Sequence, residues 1–538
     1  MVSQSGGFGY SIVLRCAASG AGFRYLVSSG NEIDVTTPEL IDAYLDDPDT
    51  KVVVSYIEGV VDGRALMDAG RKAAQVGKAI LMWKAGNSEQ GRRAAASHTG
   101  SMTGSYDIYQ AAMRQAGIIE VRSFEEVAEL VKVFSTGRLP RGRNVALMSA
   151  SGGAAAVFAD TAEQVGLSLP PATPRTVARL KTAGLLGAGS ASNPIDCAPG
   201  FLNDDIACKF AVAADAMLGD PNIDQLCMML MTVLGKQALN GARALVSAVQ
   251  RRNKPILVFS SVPRDTAEEA CRLLEEAGIP ILSSPANVAC AAAATAAYVE
   301  TRERLARPAP NAKRQSTPPE LPAAPGALSE VDSKRLLARY GVPVTRDVLV
   351  PPGEDAKCSG LRPPFAVKVV SPDIAHKTEA GCVRLNVAGG AALRIALNDV
   401  LAGAQCAAPD ARIDGVLVSE MITDGVEALV GVVNDPAFGP VVAFGLGGVF
   451  TEVLHDLSYR VVPFDRETAH AMIGELRAKA IFRGVRGKPA LDTQALADAL
   501  VAVSQLAWDL RDRIQDLDIN PLLVRPHGKG VAAADALV

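Results

Sequence analysis

The pattern Ser-x-Ser-Gly-Gly occurs twice, as Ser3-Gln4-Ser5-Gly6-Gly7 and as Ser149-Ala150-Ser151-Gly152-Gly153, about 150 residues apart. Each copy stands between an apolar run and a helix-like stretch, and each is trailed by an echo, Asn31-Glu32-Ile33-Asp34 in the first and Asn193-Pro194-Ile195-Asp196 in the second. A repeat of this length predicts two related domains. Between the copies, Val52 to Ile57, Ala79 to Trp83 and Ile118 to Val121 read as strands. They alternate with helical stretches from Ala65 to Val76, Tyr106 to Ala116 and Phe124 to Phe134. Strands alternating with helices in this way form βαβ units and a parallel sheet. The second copy has a full strand, Asn144 to Met148, before its turn, whereas the first has only Met1 and Val2. A first strand cut short in this way is an expectation about the chain's start.

Gly137 to Gly142 punctuates the pattern, and six prolines between Pro308 and Pro325 mark a solvated linker. Beyond it, Ser329 with an acid three residues on opens a helix that ends near Tyr340-Gly341. The expected domains are 1–140, 141–306 and 327–538, with 307–326 as linker. A chain of 538 residues has room for three or four domains. The fold class expected for the repeat is α/β.

The charge is nearly balanced, 54 Lys+Arg against 58 Asp+Glu, and no basic block argues for nucleic acid. The alanine-rich stretch from Ala286 to Val299 falls short of the roughly 20 residues a membrane span needs, so it reads as a core helix. The nine cysteines are scattered without C-x-x-C spacing, and no signal peptide opens the chain. Reduced thiols in a cytoplasmic protein are expected.

Several residues carry chemistry. A strand running through Ser and Gly into a helix leaves backbone N–H groups at the positive end of the helix dipole, which favours an anion such as phosphate. His98 stands in a Gly/Ser/Ala-rich stretch, where an imidazole can act as nucleophile, base or ligand. Glu58 follows a strand, at the end where α/β sheets place functional groups, and can orient an imidazole. Read singly, each is better taken as a solvated surface residue. Lys368 lies inside the apolar run Phe365 to Val370, where an ammonium needs an anion, and a phosphate suits it. His376-Lys377 and Gly381 follow it. Glu420 ends one strand and Glu427 opens the next; Asp435 to Pro440 reads as a turn and Phe444 to Gly448 as a glycine-rich loop. Asn520 and Asp535, on adjoining strands, are hard oxygen ligands of the kind Mg²⁺ takes when phosphate completes its shell. Asp518, inside an apolar run, needs an explanation of its own.

These motifs resemble the NDP-forming acyl-CoA synthetases, relatives of succinyl-CoA synthetase and of the ADP-forming acetyl-CoA synthetases. The resemblance rests on SQSGGFG from Ser3, SGNEIDV from Ser29, SHTGS from Ser97, SASGGAAA from Ser149 and NPID from Asn193. Further along it rests on KVVSPDIAHKTEAG from Lys368, DPAFGPVVAFGLGG from Asp435 and LDINPLLV from Leu517. It implies two flavodoxin-like succinyl-CoA-ligase domains followed by an ATP-grasp domain. It also implies an ATP-dependent, ADP-forming acid–CoA ligase acting on a short-chain or aryl acid such as ferulate, with ATP and CoA as substrates and Mg²⁺ as cofactor.

By matching position, His98 is the implied phosphorylated histidine and Glu58 holds its ring. Ser5-Gly6-Gly7 and Ser151-Gly152-Gly153 bind the phosphoryl group. Lys368, Glu420 and Glu427 contact the nucleotide, Asn520 and Asp535 hold Mg²⁺, and His376 matches a histidine that some members use as a second phosphoryl carrier. Cys382 stands where a second glycine is usual. The N-terminal CoA-binding domain usual in such fused chains is not seen, which implies that a partner chain or a homo-oligomer supplies CoA-binding surface. A regulatory ligase-like module and an inactive fragment of a longer synthetase are the alternatives.

Overall fold

The computed structural model describes residues 1–91, 105–149, 151–184, 193–196, 204–230, 235–250, 252–307, 321–322, 326–354, 360–374, 377, 379–448, 456–485 and 487–538. It divides into two compact units, Met1–Pro308 and Ala309–Val538.

The first unit holds two five-stranded parallel sheets. Strands β1 (Val2–Ser3), β2 (Val27–Ser28), β3 (Val52–Ile57), β4 (Ala79–Lys84) and β5 (Ile119–Glu120) are ordered β2-β1-β3-β4-β5. Strands β6 (Val145–Ser149), β7 (Ile195–Asp196), β8 (Gln225–Leu230), β9 (Ile256–Ser260) and β10 (Ile281–Leu282) repeat that order as β7-β6-β8-β9-β10. This 2-1-3-4-5 arrangement is the flavodoxin-like one, and it places a crevice where the chain switches direction at the carboxyl ends of β1 and β3. The strands read as unbroken apolar runs because helices cover both faces. The alanine-rich stretch is the helix Pro285–Ala306, capped by Ser284, whose hydroxyl accepts from Asn287 N–H at 3.0 Å. Its buried Val288, Ala292 and Tyr298 join one core with Ile12, Val54 and Leu81 of the first sheet region and Leu147 and Phe158 of the second. The Tyr298 hydroxyl donates to Lys78 O at 3.0 Å.

The sequence echo is not structurally equivalent in the two copies. In the second, Ile195–Asp196 itself forms β7 beside β6, fixed by Asn193, which accepts from Leu147 N–H and donates to Val145 O. In the first, the edge strand β2 comes before Asn31, and Ile33 is 95% exposed.

The second unit is built from antiparallel sheets. β11 (Asp347–Val350), β12 (Phe365–Val370), β13 (Val383–Val387) and β14 (Gly415–Glu420) are ordered β11-β14-β12-β13. A larger sheet is ordered β17-β16-β15-β18-β19, from β15 (Val426–Asp435), β16 (Gly439–Leu446), β17 (Leu457–Val461), β18 (Asp516–Val524) and β19 (Val531–Ala533), with β20 (Ala536–Leu537) also pairing β18. The helix Glu330–Arg339 starts where the sequence places it, the Ser329 hydroxyl accepting from Asp332 N–H at 3.1 Å. The turn at Asp435 is a hairpin in which its carboxylate accepts from Ala437 and Phe438 N–H at 2.9 and 3.0 Å. The glycine-rich loop is shorter than expected, because Phe444, Gly445 and Leu446 stay in β16. Gly445 is there for packing: a Cβ on it would stand 2.6 Å from the Leu457 side chain and 2.7 Å from Asp456 O. Among the described residues, no helix is long and apolar enough to cross a membrane.

Candidate active site

The two Ser-x-Ser-Gly-Gly turns fold alike. The Ser3 hydroxyl donates to Ser5 O at 2.6 Å, and the Ser149 hydroxyl to Ser151 O at 2.7 Å. Ser5 and Ser151 are the N-caps of the helices Gly6–Ala18 and Gly152–Gln164. They differ in one respect. Ser151 caps Ala154 N–H at 3.3 Å, whereas Ser5 makes no side-chain cap and leaves its first turn of N–H donors to an incoming acceptor. A Cβ at Gly7 or Gly152 would meet nothing within 4 Å, so packing does not demand glycine there. What glycine gives is bare backbone for an anion to approach. Gly9 is the opposite case, since its Cβ would lie 2.5 Å from Ser3 Cβ. Gly9→Ala is therefore expected to lower stability by about 1–3 kcal/mol through overpacking. Gly7→Ala should leave the thermal midpoint unchanged or raised. Thermal unfolding of the two variants checks the contrast.

Glu58 is not a solvated loop carboxylate: it is 4% exposed, directly after β3. Its N–H donates to Gln4 Oε1 at 2.6 Å, and Gln4 Nε2 donates to Gly59 O at 2.7 Å, so a residue inside the first turn ties β1 to the end of β3. The buried Lys84 donates to Glu58 O at 2.8 Å and lies over the Tyr109 ring. The Tyr109 hydroxyl accepts from Val60 N–H at 2.9 Å. Tyr109 belongs to the helix Tyr106–Ala116, which follows the segment carrying His98. His98 and His376 both lie outside the described residues. Sequence reasoning missed Gln4, because a glutamine in a turn looks like any solvated amide.

In the second unit, Lys368 is 8% exposed and its anions are already in the protein. Nζ donates to Asp535 Oδ2 at 2.8 Å, Glu330 Oε1 at 3.1 Å and Ala534 O at 3.2 Å. The anion that a lysine in an apolar run needs is thus supplied here by protein carboxylates. Glu330 also receives Lys377 on Oε2 at 2.9 Å and Lys334 on Oε1 at 3.2 Å. Lys334 is further held by Asp347 at 2.8 Å and Thr345 at 3.1 Å. Burial by itself would raise the Glu330 carboxyl, but the ammonium groups of Lys368, Lys334 and Lys377 overcome it and pull it from 4.5 down to about 2. An acid whose pKa is lower folded than unfolded binds fewer protons in the native state. Its stabilisation is therefore complete above about 4.5 and lost as pH falls toward about 2. Acid denaturation followed by circular dichroism should show this window in the wild type, and a shallower slope across it in Glu330→Gln.

Asn520 is exposed, and it lies within β18 rather than in a turn. Asp518, two residues away, shares its face. Asp518 pairs with Leu537 and Ile519 with Ala536, while Ala534 N–H donates to Pro521 O at 3.0 Å. Asp535 thus sits in the link between β19 and β20, not on a strand, and alongside Asn520. The Asp518 carboxyl is pushed up by burial and then by the charge of Asp535. Two carboxylates that repel and one amide are donors a hard cation would relieve, with water and phosphate completing its shell, so these residues fit Mg²⁺. Among the described residues no cluster of three or more His, Cys, Asp or Glu forms a closed metal cage.

Glu420, half-buried at the end of β14, accepts from Arg362 N–H at 2.7 Å and from Arg346 at 3.2 Å. Glu427 is exposed near the start of β15, and its carbonyl accepts from Gly447 N–H at 2.8 Å. Gly448, at φ +67, passes so close that a Cβ would lie 2.9 Å from Glu427 Oε2.

Comparison with known proteins agrees with this fold. The succinyl-CoA ligase like flavodoxin domain matches residues 1–134 and the ATP-grasp domain residues 321–538. An ADP-forming acetate–CoA ligase of Archaeoglobus fulgidus is 32% identical over 98% of this chain and 76% of its own. A trans-feruloyl-CoA synthase of an unknown prokaryotic organism is 29% identical over 100% of this chain and 76% of its own. A solved dinucleotide forming acetyl-coenzyme A synthetase 1 of Ca. Korarchaeum cryptofilum, in complex with phosphate and ADP, is 29% identical. It covers 56% of this chain and 65% of that one, with a TM-score of 0.51. Identity at this level along nearly the whole length makes this chain a member of the ADP-forming acyl-CoA ligases.

Proposed function

We propose that this ligase makes an acyl-CoA thioester from a short-chain or aryl carboxylic acid by relaying the γ-phosphoryl group of ATP through His98. The observation that carries the reading is the ion pair of the buried Lys368 with the half-buried Asp535 beside Asn520, in which phosphate can replace the carboxylate on the lysine and Mg²⁺ the lysine on the carboxylate. Lys368, Glu420 and Glu427 bind the nucleotide, and Asn520 and Asp535 hold Mg²⁺. When bound, Mg²⁺ neutralises the charge that develops on the phosphates. An imidazole nitrogen of His98 attacks the γ-phosphorus and ADP leaves. The acid's carboxylate oxygen then takes the phosphoryl group, freeing the imidazole and giving an acyl phosphate. CoA thiolate attacks its carbonyl carbon and expels phosphate. Glu58 orients the His98 ring, and the uncapped turn at Ser5-Gly6-Gly7, with that at Ser151-Gly152-Gly153, holds the phosphoryl oxygens. His376 matches a histidine that some family members use as a second carrier, and the His376→Ala variant decides between that role and one in shaping the ATP loop.

The parts are read as flavodoxin-like domains over 1–140 and 141–306, a linker over 307–326 and the ATP-grasp domain over 327–538. Relatives named for acetate and for ferulate bracket the range of acids. These relatives are longer than this chain, so CoA is proposed to be held partly by polypeptide outside these 538 residues, a partner or a further copy included. A cytoplasmic location is part of the reading. A panel of carboxylic acids incubated with MgATP and CoA tests the function, with thioester expected for a short or aryl acid and none for the whole panel contradicting it. Calorimetry checks the CoA site: weak or no binding is expected for the 538-residue chain alone, and tight binding would contradict the shared surface.

A further inference from the structure

Glu330 carries more charge contacts than a structural acid requires. Its side chain is 1% exposed, so it cannot itself meet a ligand. Lys334 has its own carboxylate in Asp347, and Lys368 has its own in Asp535. Lys377 takes its ion pair from Glu330, on the oxygen opposite the one that holds Lys368. One carboxylate therefore sets two ammonium groups side by side, one from β12 and one from the loop after it. Their side chains are 10% and 20% exposed, and because Glu330, Asp535 and Ala534 O take the three N–H donors of Lys368, a phosphate reaches it by taking the place of Asp535. The cluster is neutral as it stands, with Lys334, Lys368 and Lys377 against Glu330, Asp347 and Asp535. If Asp535 turns to a metal, Lys368 retains Glu330 as its carboxylate. Burying so many charges is a poor way to gain stability alone, because desolvation offsets most of the Coulomb attraction. Helix geometry helps at little cost: Glu330 is the first residue of the helix Glu330–Arg339, where the dipole favours a negative charge.

We propose that Glu330 is a positioning residue that aligns Lys368 and Lys377 as a two-ammonium clamp for the nucleotide phosphates, which makes Lys377 a second phosphate contact. The proposal rests on the nucleotide site assigned above. Its sequence signal was hidden, since an acid in a helix's first turn is ordinary and Lys377 reads as a neighbour of His376.

The test uses the full chain with four variants: Glu330→Gln, Lys377→Met, the double variant Glu330→Gln with Lys334→Met, and Lys368→Met. The readouts are thermal stability, calorimetric affinity for MgADP, and the MgATP concentration giving half-maximal phosphoryl labelling against the maximal labelling rate. Loss of a hydrogen bond to a charged group predicts a roughly 10- to 100-fold rise in half-saturating MgATP for Glu330→Gln and for Lys377→Met, with a smaller change in maximal rate. The double variant restores neutrality and is expected to recover stability while nucleotide affinity stays weak. Recovery of affinity together with stability would show that Glu330 only balances charge and would overturn the proposal. Unchanged affinity in Lys377→Met would overturn it as well. If Glu330→Gln fails to fold, the double variant and Lys377→Met still decide. Should Lys368→Met also bind MgADP normally, the nucleotide-site assignment itself is what fails.

Discussion

His98→Ala abolishes thioester synthesis and leaves the protein folded; that is the largest effect expected of any substitution here. The imidazole is the proposed covalent relay, and a methyl group can take no phosphoryl, so the rate should fall by about 10⁴-fold or more. The segment around it is rich in Gly, Ser and Ala, so the stability change should stay within about 0.5 kcal/mol. Labelling with γ-³²P-ATP checks it, the acid-labile, base-stable label present in the wild type being lost. His376→Ala is graded: complete loss marks a second carrier, and partial loss a role in shaping the loop after β12.

Lys368→Met is the second large effect, and it separates the two half-reactions. Lys368 is proposed to stabilise the phosphates as the γ-phosphoryl leaves, and loss of one preorganised charge of this kind costs about 10²–10³-fold. The fold should persist, because Glu330 keeps Lys334 and Lys377, and Asp535, 34% exposed, is rehydrated. Labelling from γ-³²P-ATP should therefore collapse. Labelling of His98 from an acyl [³²P]phosphate of the accepted acid needs neither ATP nor Lys368 and should survive. Equal loss of both labels would place the defect in folding instead of in the nucleotide site.

The parallel halves of the fold were legible because their signals are local. The repeated turn, the apolar runs and the alanine-rich helix each lie within a few adjacent residues, and the helix Tyr106–Ala116 has the ends its sequence pattern gives. The candidate site was legible only in part. Lys368 announced itself as a buried cation, but its partners lie 38 and 167 residues away, joined to it only by the folding of the helix Glu330–Arg339 and the C-terminal strands onto β12. No periodicity encodes such a meeting. Gly445 misled in the opposite direction, since a glycine kept for close strand packing looks like a glycine kept for a loop. The echo at Asn31 misled too: its residues match those at Asn193, but only the second set pairs with a strand. Asp518 became intelligible only when the link after β19 was seen to bring the charge of Asp535 to bear on it, since across the sheet it pairs with Leu537.

The most direct measurement is the stoichiometry of the spent nucleotide during thioester synthesis with an accepted acid. Chromatography should find one ADP and one phosphate for each acyl-CoA, as a histidine relay fed by the γ-phosphoryl group requires. AMP and pyrophosphate in equal amount to the thioester would contradict the account, because they arise from an acyl adenylate that has no need of His98.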